Sequence, residues 1–160
     1  MIRHAKPEDA KVIHDVALKS WKDTYSQILS VETIEMVIDK WYSLDDLREQ
    51  TSHPIFYVAE EEDEVVGFVH ASVSEGKATL HRIYLDPKYQ GQGIGSRLYI
   101  TAENDIKDAE AVKIELEVLA NNQKGNNFYQ KQGFEEQETE QVEFDGEKVC
   151  QKILTKSLEN

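Results

Sequence analysis

The spacing of apolar residues changes character twice along the chain. In the first fifty or so residues it is helical: Val12, Ile13, Val16, Ala17, Ser20 and Trp21 recur at intervals of three and four and fall on one helix face. Pro7 just ahead of them suits a first helical turn, so the pattern predicts a helix from about residue 8 to about 24. A second stripe, Ile34, Val37, Ile38 and Trp41, predicts another helix, and Ser43 offers a cap for a short third over Leu44 to Gln50.

The period then drops to that of strands. Ile55 to Glu60, Glu64 to Ser74 and Ala78 to Asp86 are rich in β-branched and aromatic residues, and the acidic run Glu60 to Glu64 reads as a solvated hairpin turn. In the third of these strands the apolar phase of Ala78 and Leu80 slips by one before Ile83 and Leu85. A β-bulge near Arg82 accounts for the slip. Pro87 stops that strand, and Ile94, Leu98, Ala102 and Ile106 mark an amphipathic helix to about residue 107. Val112 to Val118 alternates again as a strand, before a helix with Gly125, Phe128, Tyr129 and Gln132 on one face. Two closing strands, around Phe134 to Phe144 and Lys148 to Leu154, meet at the hairpin dipeptide Asp145-Gly146. The predicted order is β, two or three α, βββ, α, β, α, ββ.

Between the third meander strand and its helix lies the segment with chemistry, Gln90-Gly91-Gln92-Gly93-Ile94-Gly95. A strand that ends in a glycine-rich turn and feeds a helix gathers unpaired N–H groups and the positive helix end at one point. That is an anion site. A side chain at Gly91, Gly93 or Gly95 would hold a ligand away from the backbone. The spacing Gly91-x-Gly93-x-x-Ser96 also fits a dinucleotide fingerprint, but that fold puts the turn after the first strand and an acid at the end of the next. Neither condition holds here, and no Gly-Lys-Ser/Thr ends the turn as a nucleoside-triphosphate loop requires.

Bulk properties narrow the partners. With 160 residues, no linker, no repeat and no low-complexity tract, the chain reads as one domain over 1–160. A net charge of −13 argues against a nucleic-acid backbone as ligand and favours a cationic one, although such acidity also serves solubility alone. The single cysteine, Cys150, has no disulfide or zinc partner and is expected as a buried thiol in a reducing compartment; no metal is expected. No leader-like start and no long apolar run are present, so the expectation is a cytoplasmic protein without membrane association.

The segment Leu85-Asp86-Pro87-Lys88-Tyr89-Gln90-Gly91-Gln92-Gly93-Ile94-Gly95-Ser96-Arg97-Leu98 resembles the Arg/Gln-x-x-Gly-x-Gly/Ala signature of the GCN5-related N-acetyltransferase superfamily. Val118 to Asn122, Gly125, Phe128-Tyr129 and Gly133-Phe134 resemble its second motif, with Gly125 standing where that family usually has alanine. The resemblance covers nearly the whole chain. It implies an α/β fold with a mixed, splayed central sheet of about seven strands flanked by helices, and acetyl-CoA in the gap of the splay. By the same resemblance, the backbone of Ile83, Tyr84 and Leu85 pairs with the pantetheine. The amides of Gln90, Gly91, Gln92, Gly93, Ile94, Gly95 and Ser96 would bind the pyrophosphate, and Asn122 would touch the pantetheine arm.

The implied reaction is direct attack of a primary amine on the thioester, without a covalent enzyme intermediate. The free N–H of Leu85 beside the bulge is the implied oxyanion donor, and Tyr129 the implied proton donor to the departing thiolate. An alkylammonium must lose a proton before attack; His81 is the candidate base, with Glu115 and Glu117 as alternatives on the neighbouring strand. Family analogy lines the acceptor pocket with the first two helices, naming Trp21, Tyr25 and Ser26 to Glu32. The string Ser20-Trp21-Lys22-Asp23-Thr24-Tyr25 resembles the polyamine-acetylating branch, which implies a small cationic amine as acceptor. A protein N-terminal or lysine acetyltransferase and a non-catalytic acyl-CoA-binding module stay open as alternatives. Dimerisation is common in the family, so a homodimer is compatible with the resemblance.

Overall fold

The computed structural model describes residues 1–144 and 146–158. Strand β1 (Ile2–His4) leads through a single 3-10 turn into α1 (Ala10–Tyr25), α2 (Val31–Trp41) and α3 (Leu44–Gln50). The meander β2 (Ile55–Glu61), β3 (Glu64–Ser74) and β4 (Lys77–Leu85) follows, then α4 (Ile94–Asp108), β5 (Lys113–Leu119), α5 (Gln123–Lys131) and the hairpin β6 (Glu135–Phe144) and β7 (Glu147–Ser157). Seven strands form one mixed sheet in the order β1-β2-β3-β4-β5-β7-β6. The turn dipeptide expected between the last two strands falls partly on Asp145, which lies outside the described residues; Gly146 has φ +83°, as that turn requires.

Helix starts are set locally. Ser30 Oγ accepts the Thr33 N–H at 3.1 Å and Ser43 Oγ accepts the Asp46 N–H at 3.2 Å, caps of the kind worth about 1 kcal/mol each. Helices α1 to α3 cover one sheet face, burying Ile13, Ile34, Ile38 and Leu47 against Phe56 and Phe68. Helix α4 covers the other with Leu98, Tyr99, Ala102 and Ile106 over Val69, Ala78 and Ile114. Each fully buried side chain of this size contributes about 1.5–3 kcal/mol.

Two irregularities shape the sheet. Between β3 and β4 the register runs His70 opposite Arg82 and then Ala71 opposite Leu80, so His81 is the extra, unpaired residue of a bulge. The bulge keeps Ala78 and Leu80 on one side of it and Ile83 and Leu85 on the other in the same α4-facing cluster. The second irregularity is a split: β4 and β5 run parallel but pair only where Lys77, Ala78 and Thr79 meet Lys113, Ile114 and Glu115. Past Thr79 the bulge turns β4 away, while β5 stays bonded to β7 along its whole length. A wedge opens between the C-terminal ends of β4 and β5.

Two expectations are corrected. Cys150 is exposed, because its neighbour Val149 takes the core position of β7 and the pleat sends Cys150 to the opposite face. The acidic run turns the chain at Glu62 and Asp63, both with positive φ, but its flanks are not simply solvated: Glu60 pairs with Arg3 and Glu61 lies 3.6 Å from Arg97. Among the described residues, no helix is long and apolar enough to cross a membrane.

Candidate active site

The wedge is a cleft of about 600 Å³. One wall is the free edge of β4. Asp86 N–H is bonded to Val66 O on β3 at 2.7 Å, so strand alternation directs the backbone groups of Ile83 and Leu85 into the cleft and those of Tyr84 toward β3. Tyr84 therefore meets the cleft with its side chain and not with its backbone. The bulge is at His81, which leaves Leu85 at the far end of the free edge and not beside the bulge.

The end of this wall is the glycine turn. Gly91 and Gly93 have φ of +80° and +82°, and a Cβ at either would meet no atom of the chain within 4 Å. Gly93 is the N-cap of α4, and no side chain caps the helix. An uncapped N-terminus behind an open glycine cradle, with Gln90, Gly91, Gly93, Gly95 and Ser96 on the cleft lining, fits a pyrophosphate. Gln92 is exposed and does not line the cleft, and the Ile94 side chain is buried in the core, which leaves only its backbone amide for a ligand.

Helix α5 forms the opposite wall. Asn122 caps it, its Oδ1 accepting the Gly125 N–H at 2.8 Å, while its Nδ2 donates to the Tyr25 hydroxyl at 3.2 Å. A Cβ at residue 125 would lie 2.5 Å from Asn122 Nδ2. Glycine is thus what lets the capping amide sit there, a closer constraint than the mildly loosened helix start that replacing alanine suggests. Tyr129 lines the cleft in the next turns of α5, and burial, then the nearby Tyr84 and Tyr25 phenols, push its pKa well above the usual tyrosine value. It is a protonated phenol at neutral pH.

The candidate bases separate. His81 lines the cleft, 2.7 Å from Ser72 Oγ; burial, then Arg82 and His53, lower its pKa, so the ring is uncharged at neutral pH. Glu117 also lines the cleft. Glu115 does not: its carboxylate is 3.1 Å from Lys77 Nζ, where β4 and β5 are still paired.

At the acceptor end, Ser20, Trp21, Thr24 and Tyr25 of α1 line the cleft, but nothing from Ser26 to Glu32 does. The missing part of that wall comes from residues that periodicity assigned elsewhere. Trp41, expected on the core stripe of α2, is 40% exposed and lines the cleft beside Tyr42. Phe144 and Gln151, from the C-terminal hairpin, complete it. No local pattern marks a strand end from the last quarter of the chain as part of this pocket.

The architecture is one cleft between two parting strands, with an open glycine turn at one end and an aromatic lining at the other. The acetyltransferase (GNAT) family profile matches residues 16–134, and the chain belongs to that family. A spermidine N(1)-acetyltransferase of Thermoplasma acidophilum is 35% identical over 153 residues, covering 92% of this chain and 95% of that one. The crystal structure of the PaiA N-acetyltransferase from the same organism, in complex with coenzyme A, matches with a TM-score of 0.86 at 31% identity, over 99% of this chain and 98% of the other. A ribosomal-protein-alanine N-acetyltransferase from Brucella melitensis shares the fold, with a TM-score of 0.73 at 20% identity over 99% of both chains. The chain is an acetyl-CoA-dependent N-acetyltransferase.

Proposed function

We propose that this transferase acetylates a primary amine of a small polycation of the polyamine type. The observation that carries the reading is the charge of the acceptor chamber. Of the two basic side chains on the cleft lining, Lys124 lies at the glycine-turn end, and Arg82 is engaged: it donates to Gln50 Oε1 at 2.6 Å and to Trp41 O at 3.0 Å and lies 4.4 Å over the Tyr42 ring. Lys124 sits 3.3 Å from Gln90 Oε1 and 3.7 Å from Asp23. Neither is left over for the carboxylate of an amino-acid acceptor. Glu117, by contrast, has no ion-pair partner among the described residues and accepts only from the Gln151 amide at 3.2 Å. The 35% identical relative named as a spermidine acetyltransferase supports the same acceptor class.

In the reaction, the glycine turn and the first amides of α4 hold the pyrophosphate of acetyl-CoA, and the backbone of Ile83 and Leu85 aligns the pantetheine arm. His81, uncharged at neutral pH, takes a proton from the acceptor ammonium and passes it to solvent. The freed amine nitrogen bonds to the thioester carbonyl carbon, and a cleft-facing N–H of β4 meets the oxyanion. As the carbon–sulfur bond breaks, Tyr129 gives its proton to the sulfur and recovers one from the nitrogen of the new amide through solvent. The products are the N-acetylated amine and CoA thiol.

Release of CoA followed with a thiol reagent, across polyamines, amino acids and aminoglycosides, tests the proposal. Polyamines are expected to be the best acceptors. Turnover confined to α-amino acids, or none with any amine, overturns it.

A further inference from the structure

We infer that the chamber holds a second, non-reacting cation of its acceptor on an aromatic wall made by Trp21, Trp41 and Phe144. The inference rests on the small-amine reading above and adds how one amine is told from another. The three rings come from α1, α2 and the end of β6. Their centroids are 6.4 Å apart for Trp21 and Trp41, 6.1 Å for Trp21 and Phe144, and 5.3 Å for Trp41 and Phe144. Their planes cross at 81°, 64° and 79°, so the rings meet edge to face and form a corner instead of a flat stack. All three line the cleft; Trp41, at 40% exposed, carries most of the open ring surface, and Trp21 at 4% and Phe144 at 9% back it. An indole face is the strongest of the side-chain π surfaces for a cation, most of all where water is partly excluded.

The surrounding charge agrees with a cation there. Gln151, on the same lining, donates its one amide nitrogen both to Glu117 at 3.2 Å and to Glu140 at 2.6 Å. Neither carboxylate has an ion-pair partner among the described residues. Glu117 on the lining, with Glu140 across Gln151 from it, attracts a cation into the cleft; the opposing charge of Arg82 is engaged by Gln50 Oε1 and the Trp41 carbonyl, and the rings give the cation a surface that requires no hydrogen bond. The ligand class is a linear alkylamine bearing a second ammonium, and a methylated ammonium serves as well as a primary one because the contact is with the charge and not with N–H groups.

The test compares three acceptors of equal chain length: butylamine, 1,4-diaminobutane and (4-aminobutyl)trimethylammonium. The diamine and the quaternary compound are each expected to exceed butylamine by about tenfold in kcat/KM, the range of a partly desolvated cation–π contact. Trp41→Leu is expected to collapse that ratio toward one, and Trp41→Phe to keep most of it. A quaternary acceptor no better than butylamine, or a Trp41→Leu enzyme with the full preference, overturns the inference. A second readout does not depend on turnover. The protein has 2 tryptophans, both in this wall, so saturable quenching of its intrinsic fluorescence by butyltrimethylammonium reports binding directly. Quenching without any amine turnover sinks the proposed transfer and leaves the cation subsite standing; turnover without quenching or ratio sinks the subsite alone.

Discussion

Replacing His70 by phenylalanine should flatten the acid limb of the protein's stability. His70 lies on β3 opposite Phe56 and is 4% exposed, its ring stacked on Phe56 at 4.7 Å and bonded through Nε2 to His53 Nδ1 at 3.1 Å. Its Nδ1 is buried without a partner. Burial, helped by the neighbouring His81, Arg82 and His53, lowers its pKa to about 3, against about 6.5 in an unfolded chain. The sign follows from linkage: as pH falls below about 6.5 the unfolded state takes up a proton that the folded state refuses. Stability present above that pH is lost progressively down to about 3. At pH 5 the loss is about 2 kcal/mol, or a fall in Tm of about 4–8 °C for a chain of this size. Phenylalanine keeps the stacking on Phe56, removes the unpartnered nitrogen and cannot titrate, so His70→Phe should be near neutral at pH 7 and about 2 kcal/mol more stable than the parent at pH 5. Urea denaturation of both chains at the two pH values measures this, and the difference between them cancels the titration of the many carboxylates. Parallel losses in the two chains would refute the reasoning, because they would mean that His70 is protonated in the folded state.

Three further outcomes follow from the cleft. Gly93→Ala puts a side chain on a left-handed residue at φ +82° and into the open cradle; a Tm lower by the cost of about 1 kcal/mol and CoA binding weaker by about tenfold in calorimetry are expected. Tyr129→Phe should lower kcat by about 100-fold while CoA affinity is kept, and an unchanged kcat removes Tyr129 from proton transfer. Gly125→Ala drives a Cβ against the Asn122 amide and should cost about 1 kcal/mol in thermal unfolding through the lost cap; a Tm unchanged from the parent would show that Asn122 relaxes freely.

The elements and the glycine turn were legible because their causes are local. The period of Val12 to Trp21 writes α1, Ser43 caps α3, and the phase slip between Leu80 and Ile83 marks the bulge that the register places at His81. Gly91 and Gly93 announce positive φ and an open backbone, which a glycine-rich turn ahead of a helix predicts. A hydrophobic period, however, reports only that a residue faces something apolar. It cannot distinguish the core from a cleft wall, which is why Trp41 read as a core residue; family analogy assigns Ser26 to Glu32 to the pocket, and the cleft lining does not include it.

By itself, then, the sequence determined the order of strands and helices, the bulge and the open glycine turn, all written in contacts a few residues apart. Only the tertiary structure decided the aromatic end of the cleft. Phe144 reaches Trp21 and Trp41, and Gln151 joins the same cleft lining, because β7 inserts between β5 and β6, a pairing set by the whole sheet and by no neighbouring residue. The tether from Tyr25 to Asn122 has the same origin. Such contacts join residues far apart in the chain, and they exist only once every strand has found its partner.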